Sequence, residues 1–283
     1  MPRAIRGRVA RYDFIGLLDG GRVEDALVRA REEIGNDAIW EALEVEVRAR
    51  AIDGGRLDEV LSGRAGMTLS RRPAHELWEI DRCQFYLVMA GVAADPPALD
   101  LLQAALHLLV VLANEGDLLL ALDGATARWL SPESLLALDA ERGFDLDEHV
   151  DVVVEAVERK AGVGHVVRAR GMVKFARPDV CARVPRKEAE RVSEIVRDIA
   201  RLLAEGETLL PGDRVNAPGL PPLTLIPRSD DALWDADAET APLYELRDLS
   251  PEGGPEGSPR AGLQGLLETL ARARRPKLRV LKP

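Results

Sequence analysis

The chain has 283 residues, 46% of them hydrophobic and 30% charged, with a formal net charge of −10. That balance belongs to a globular protein able to bury a sizeable core in one large or two packed domains. Phosphate affinity rests on Lys and Arg, so an acidic chain argues against a general nucleic-acid surface. The lack of a signal-like N terminus and of an apolar run of bilayer length predicts a cytoplasmic protein that does not enter a membrane.

Arg3, Arg6, Arg8 and Arg11 alternate with apolar residues and lead into Phe14–Leu18, the pattern of a strand with a solvated basic face that ends at Asp19-Gly20-Gly21. Val23, Ala26, Leu27, Ala30 and Ile34 share one helical stripe, with Gly35 as its stop. Asn36 is placed to cap a second helix carrying Ile39, Trp40, Leu43 and Val47, although Leu43, Val45 and Val47 also alternate as in a strand. Asp53-Gly54-Gly55 predicts a break, followed by one short turn of helix over Leu57–Leu61. Residues 1–70 therefore read as a mainly helical region.

Leu77-Trp78-Glu79-Ile80 reads as a strand, and Cys83–Ala90 as a second one apolar enough to lie mid-sheet. After Asp95-Pro96-Pro97 a helix runs to Asn114 with Leu99, Leu102, Leu106, Leu109 and Val110 buried. Strands at Asp117–Leu122 and Ala127–Leu130 flank an Asp123-Gly124 turn. Ser131-Pro132-Glu133-Ser134 has the Ser cap and first-turn Pro of a helix start. Val152–Val157 is a further strand. The recurring order of elements suggests two pseudo-equivalent α+β halves.

Val166–Arg170 and Val180–Val184 are β-branched runs separated by Gly171 and the Arg177-Pro178-Asp179 turn signal, which predicts a hairpin. Val192, Ile195, Val196, Ile199, Leu202 and Leu203 then recur at helical spacing between Pro185 and Gly206, an amphipathic helix whose apolar stripe the hairpin would receive. Short strands over Leu223–Ile226 and Leu243–Leu246 follow. Residues 250–259 are rich in Pro, Gly and Glu and read as a flexible linker. Residues 260–283 hold an amphipathic helix with Leu263, Leu266, Leu267 and Leu270 on one side, then a basic tail. The fold class is α+β: mixed or antiparallel sheets flanked by helices, with residues 71–249 as the core and a C-terminal helix on a linker.

The stretch Gly171-Met172-Val173-Lys174-Phe175-Ala176-Arg177-Pro178-Asp179-Val180, a long helix, and Leu209-Leu210-Pro211-Gly212-Asp213 resemble an uncharacterised group of bacterial proteins catalogued as domains of unknown function. Their pattern is roughly R/T-G-hydrophobic-x-x-F-G-x-P-[DE], a helix, and a closing G-D strand. The chain departs from it at Ala176, where the group commonly has Gly. The resemblance covers roughly residues 75–226 and implies no catalytic residues.

Chemistry-bearing patterns are sparse. His75, His107, His149 and His165 show no metal-ligand spacing, and Cys83 and Cys181 sit in apolar runs as small core residues, so no metal or cofactor is expected. Asp145–Asp151 is the densest acidic cluster but lacks the Gly and spacing of an EF-hand loop. Gly162-Val163-Gly164 precedes a strand, whereas a dinucleotide loop follows one. There is no nucleophile elbow. What stands out is charge on the hairpin: Arg168, Arg170, Lys174, Arg177 and Arg183, which either face a partner or pair with Glu188, Glu190 and the turn near Asp147.

The function expected from these features is non-enzymatic protein–protein interaction, as an accessory or immunity-like partner or a homo-oligomer. It would work through the basic hairpin and through Leu263, Leu266, Leu267 and Leu270. One alternative is an enzyme or small-ligand binder whose site forms only in three dimensions, with Asp147, His149, His165 and Arg168 as the nearest candidates. The other is nucleic-acid binding through the hairpin.

Overall fold

Apolar residues on both faces of the first strand, Tyr12 and Phe14 on one and Ile15 and Leu17 on the other, give a sheet buried on both sides. The computed structural model describes residues 9–20, 22–94, 100–137, 145–159, 162–184, 186–205, 207, 214–216, 223–227, 243–248 and 279–281. The chain forms two units, Met1–Asp151 with Val173–Ala176, and Val152–Met172 with Arg177–Pro283.

In the first unit the elements are β1 (Val9–Leu18), α1 (Val23–Ile34), α2 (Asp37–Glu41), β2 (Leu43–Ala49), α3 (Arg50–Ser62), α4 (Arg64–Leu69), α5 (Ala74–Arg82), β3 (Phe85–Ala94), α6 (Asp100–Glu115), β4 (Leu118–Asp123), β5 (Arg128–Leu130), α7 (Pro132–Ala137) and α8 (Leu146–His149). Ala10, Tyr12 and Phe14 of β1 join one core, Ile15 and Leu17 the other. β1 pairs antiparallel with β3, from Val9↔Ala94 to Leu18↔Phe85, and with β4, from Phe14↔Asp123. β2 lies beyond β3 and β5 beyond β4, giving the order β2-β3-β1-β4-β5. The first core takes Val23, Ala26 and Ala30 of α1, Trp40 of α2, Leu135 of α7 and the apolar stripe of α6. The second takes Leu57 of α3, Ala65 and Leu69 of α4, and Leu77 and Ile80 of α5. With helices on both faces, β1 is the central strand, and β3 lies inside the sheet between β2 and β1, the mid-sheet place expected of Cys83–Ala90.

The local chemistry follows the sequence at several ends and departs from it at others. Gly35 stops α1 in the left-handed region at φ 63°, and the Ser131 Oγ accepts the Ser134 N–H at 3.3 Å. The helix after Asn36 ends at Glu41, and Leu43–Ala49 takes the strand pattern. The expected break at Asp53-Gly54-Gly55 is instead a kink inside α3, at Asp53 with φ −115° and ψ 21°. Helix continues through both glycines because Leu57, Val60 and Leu61 have a core to pack on. Leu77–Ile80 is helix, not strand: Leu77 and Ile80 point to the second core at i,i+3 spacing, and Arg82 pairs with Glu79 along the same helix at 2.8 Å. Residues 1–70 are not a separate helical region either, since they supply β1 and β2 to the sheet.

The second unit contains β6 (Asp151–Arg159), β7 (Gly162–Arg170), β8 (Asp179–Val184), α9 (Ala189–Ala204), β9 (Arg214–Asn216), β10 (Leu223–Pro227), β11 (Leu243–Asp248) and β12 (Arg279–Leu281). The hairpin is present, with β7 and β8 antiparallel from His165↔Val184 to Arg168↔Cys181. α9 packs on it through Val192, Ile195, Val196, Ile199 and Leu203, while Leu202 is only half-buried. Each such side chain contributes about 1.5–3 kcal/mol of apolar burial. Pro185 and Gly206 lie outside the described residues, and a 3-10 turn, Arg186–Glu188, leads into the helix. Strand order is β12-β9-β10-β11-β8-β7-β6, and β11 runs parallel to β8, so the sheet is mixed. No helix separates β6 from β7, whereas α6 separates β3 from β4, so the two units are not repeats of one plan. Linker 250–259 and the leucine-faced segment 262–273 lie outside the described residues. No helix among the described residues is long and apolar enough to cross a membrane.

Candidate functional site

The connection between β7 and β8 carries the motif singled out in the sequence, and its residues are held by polar bonds. Gly171 has φ 96°, a region that favours glycine, and lets the chain leave β7 sharply. Asp179, buried at the start of β8, accepts Nε and Nη2 of Arg168 on one carboxylate oxygen at 3.2 and 2.8 Å. Its other oxygen accepts the Met172 N–H at 3.2 Å, closing the loop base. Arg170 donates to Glu155 at 2.9 Å, and Arg177 Nε donates to the Leu203 carbonyl at 2.8 Å, on the last turn of α9, where carbonyls lack helical partners. Between these ties a 3-10 turn, Met172–Phe175, is followed by Ala176 at φ 53°, a left-handed alanine at a position that would suit glycine.

Val173–Ala176 belong to the first unit, and Lys174 is there 1% exposed. Its Nζ donates to Oδ2 of Asp123, at the end of β4, whose Oδ1 accepts the Ala125 N–H at 3.1 Å. His149, the last residue of α8, is buried within the field of the same pair. Burial, followed by the Lys174 and Arg128 charges, lowers its pKa to about 4 against the opposing pull of Asp123 and Asp145. A buried cation, a buried carboxylate and a neutral imidazole thus share one end of the first sheet. Grouping of this kind also occurs at acid–base sites. Here, however, the ammonium is committed to Asp123 and closed to solvent, so Lys174 offers no nucleophile to a substrate.

The hairpin cations are therefore not an open basic patch. Arg168, Arg170, Lys174 and Arg177 each have an internal partner, drawn from Asp179, Glu155, Asp123 and a helix-end carbonyl rather than from Glu188, Glu190 or the turn near Asp147. Arg183 lies in β8 opposite Val166. Ion pairs between β-strand neighbours explain this: Arg168 faces the hairpin partner that begins with Asp179. Asp147 and His149 fall in the first unit, His165 and Arg168 in the second. The acidic stretch is a helix start, in which Asp145 caps α8 by accepting the Asp147 N–H at 3.0 Å. His107 bonds Glu33 through Nε2 at 2.6 Å, and His75 sits exposed in α5. Cys83 and Cys181 are buried thiols. No group of three or more His, Cys, Asp and Glu side chains among the described residues could hold a metal ion. Leu263, Leu266, Leu267 and Leu270 lie outside the described residues.

Sequence reasoning missed the apolar surface of the helices on the second core. Ile52 of α3 is 82% exposed, Met67 of α4 61% and Trp78 of α5 68%. The short run Leu77–Ile80 fits a strand as well as a helix, and only the helical spacing of Leu77 and Ile80 turns Trp78 outward. No protein-family model matches the chain, and neither a curated protein nor a solved structure does.

Proposed function

We propose that this is a non-enzymatic cytoplasmic protein that works by binding another protein, and that α3, α4 and α5 carry the contact surface. The observation behind this reading is the exposure of Trp78, Ile52 and Met67 on three successive helices. Tryptophan and methionine are enriched at protein interfaces, and tryptophan is, with tyrosine and arginine, enriched among the residues that carry binding energy. The committed hairpin arginines support the same choice over nucleic-acid binding, which needs cations free to meet phosphate. An enzymatic role for Asp147, His149, His165 and Arg168 draws on His149 alone. We also read Arg170, Gly171, Phe175, Pro178 and Asp179, the residues of the resemblance to the uncharacterised bacterial group, as architectural.

Photo-crosslinking residues placed one at a time at positions 52, 67 and 78 of the full chain, in its native cells, test the surface. Adducts from all three positions to one protein are expected, lost when a Trp78→Glu substitution accompanies the probes at 52 and 67. Probes that yield no adduct, or the same adducts as a probe on the exposed face of α9, would refute it.

A further inference from the structure

β2 is the outermost strand of its sheet, with β3 on one side and no strand on the other among the described residues. Such an edge invites another strand, and proteins often guard it with charged side chains, lysine above all. The charge on β2 is of a different kind. Glu44, Glu46 and Arg48 share one face of the strand, and Arg48 Nη2 already donates to Glu46 Oε2 at 2.6 Å. Arg48 also lies beside the Tyr86 side chain, and 17% of its own side chain stays exposed, so the open edge of the guanidinium can meet a second carboxylate. On the opposite face Val45 packs against the first core, while Val47 is 41% exposed.

We infer that β2 pairs antiparallel with β2 of a second copy of this chain, about a two-fold axis through Val47. That register sets Glu46 opposite the partner's Arg48 and Arg48 opposite the partner's Glu46, so four charges alternate in sign around a closed square. Val47 meets its own copy on the axis, and Val45 meets the partner's Ala49. Neighbouring symmetric registers are worse: an axis through Glu46 opposes two Glu46 side chains, and an axis through Val45 opposes Glu44 to Glu46. Charge complementarity therefore selects both the occupant and the register. The same patch meeting itself is the ordinary form of a two-fold interface. A contact this short buries less than about 1,200 Å², so the dimer is weak and concentration-dependent.

Light scattering of the full chain from micromolar to millimolar concentration tests the pairing, with thermal melts to establish that each variant is folded. A monomer–dimer equilibrium is expected, abolished by Val47→Lys. Glu46→Arg and Arg48→Glu are each expected to be monomeric, and their equimolar mixture to dimerise because both cross-strand pairs are again opposite in sign. Val47→Cys should give a disulfide dimer on mild oxidation, since opposed Cα atoms lie about 4.5–5.5 Å apart, within disulfide reach. Val45→Cys should not, because its counterpart lies four residues along the strand. Native Cys83 and Cys181 are buried and contribute little background. A chain that stays monomeric throughout, a dimer that survives Val47→Lys, or equal crosslinking of the two cysteine variants would overturn the inference. None of these variants alters Ile52, Met67 or Trp78, so failure here leaves the proposed contact surface untouched.

Discussion

Replacing Lys174 with methionine removes one half of a buried ion pair whose side chains are 1% and 6% exposed. Two unit charges about 4 Å apart attract by roughly 4 kcal/mol at an effective dielectric constant near 20, which the loss of hydration on both groups largely offsets. The pair itself is thus close to neutral for stability. Breaking it is not neutral, because Asp123 stays buried with the Ala125 N–H as its one remaining hydrogen-bond donor among the described residues, and that costs about 3–5 kcal/mol. For a unit of this size the midpoint should fall by on the order of 10 °C. The double substitution Lys174→Met with Asp123→Leu should recover most of the loss, since no charge is then stranded. Urea denaturation of both single variants and the double variant measures the coupling. A single-variant cost below about 1 kcal/mol, or a double variant worse than either single, would refute the claim that Lys174 is a buried half of this pair.

Three further outcomes follow from particular residues. His149 titrates near 6.5 when unfolded but only about 4 when folded, so the unfolded chain takes up the proton first. Stability should therefore fall as pH drops from about 6.5 to 4, by roughly 3 kcal/mol, and His149→Gln should flatten that part of the urea-midpoint profile. Ala176→Gly should stabilise by about 0.5–1 kcal/mol, the relief of a left-handed alanine less the added freedom of the unfolded chain, measured as a shift in thermal midpoint. Ile199→Ala, at a fully buried position of α9, should cost about 2–5 kcal/mol, read from the transition that reports the second unit.

The parts of the fold legible in the sequence are those where one period runs long enough to be unambiguous. β7, β8 and α9 are such a case: β-branched runs give way to Val192, Ile195, Val196, Ile199 and Leu203 at three and four spacing. Leu77–Ile80 is too short to separate the two periods, and only its core contacts make it helix. Gly54 and Gly55 carry a genuine local cost, yet the burial of Leu57 overrides it. The site was less legible still. Lys174 and Asp123 are 51 residues apart, and nothing in either neighbourhood announces the other. The Arg-rich look of the hairpin misled because sequence displays charges without their counter-ions; Asp179, read only as a turn residue, neutralises Arg168.

The parallel pairing of β8 with β11 has a consequence for how the protein is made. Leu243 lies opposite Asp179, so the flank of β8 finds its neighbour only after the intervening residues and Asp248 have left the ribosome. At about 5–20 residues per second that interval lasts several seconds. During synthesis the nascent hairpin keeps a row of free backbone donors and acceptors along β8, a template for misassembly between chains on neighbouring ribosomes. Yield in the cell should therefore depend on chaperone capacity during elongation more than on the stability of the finished molecule.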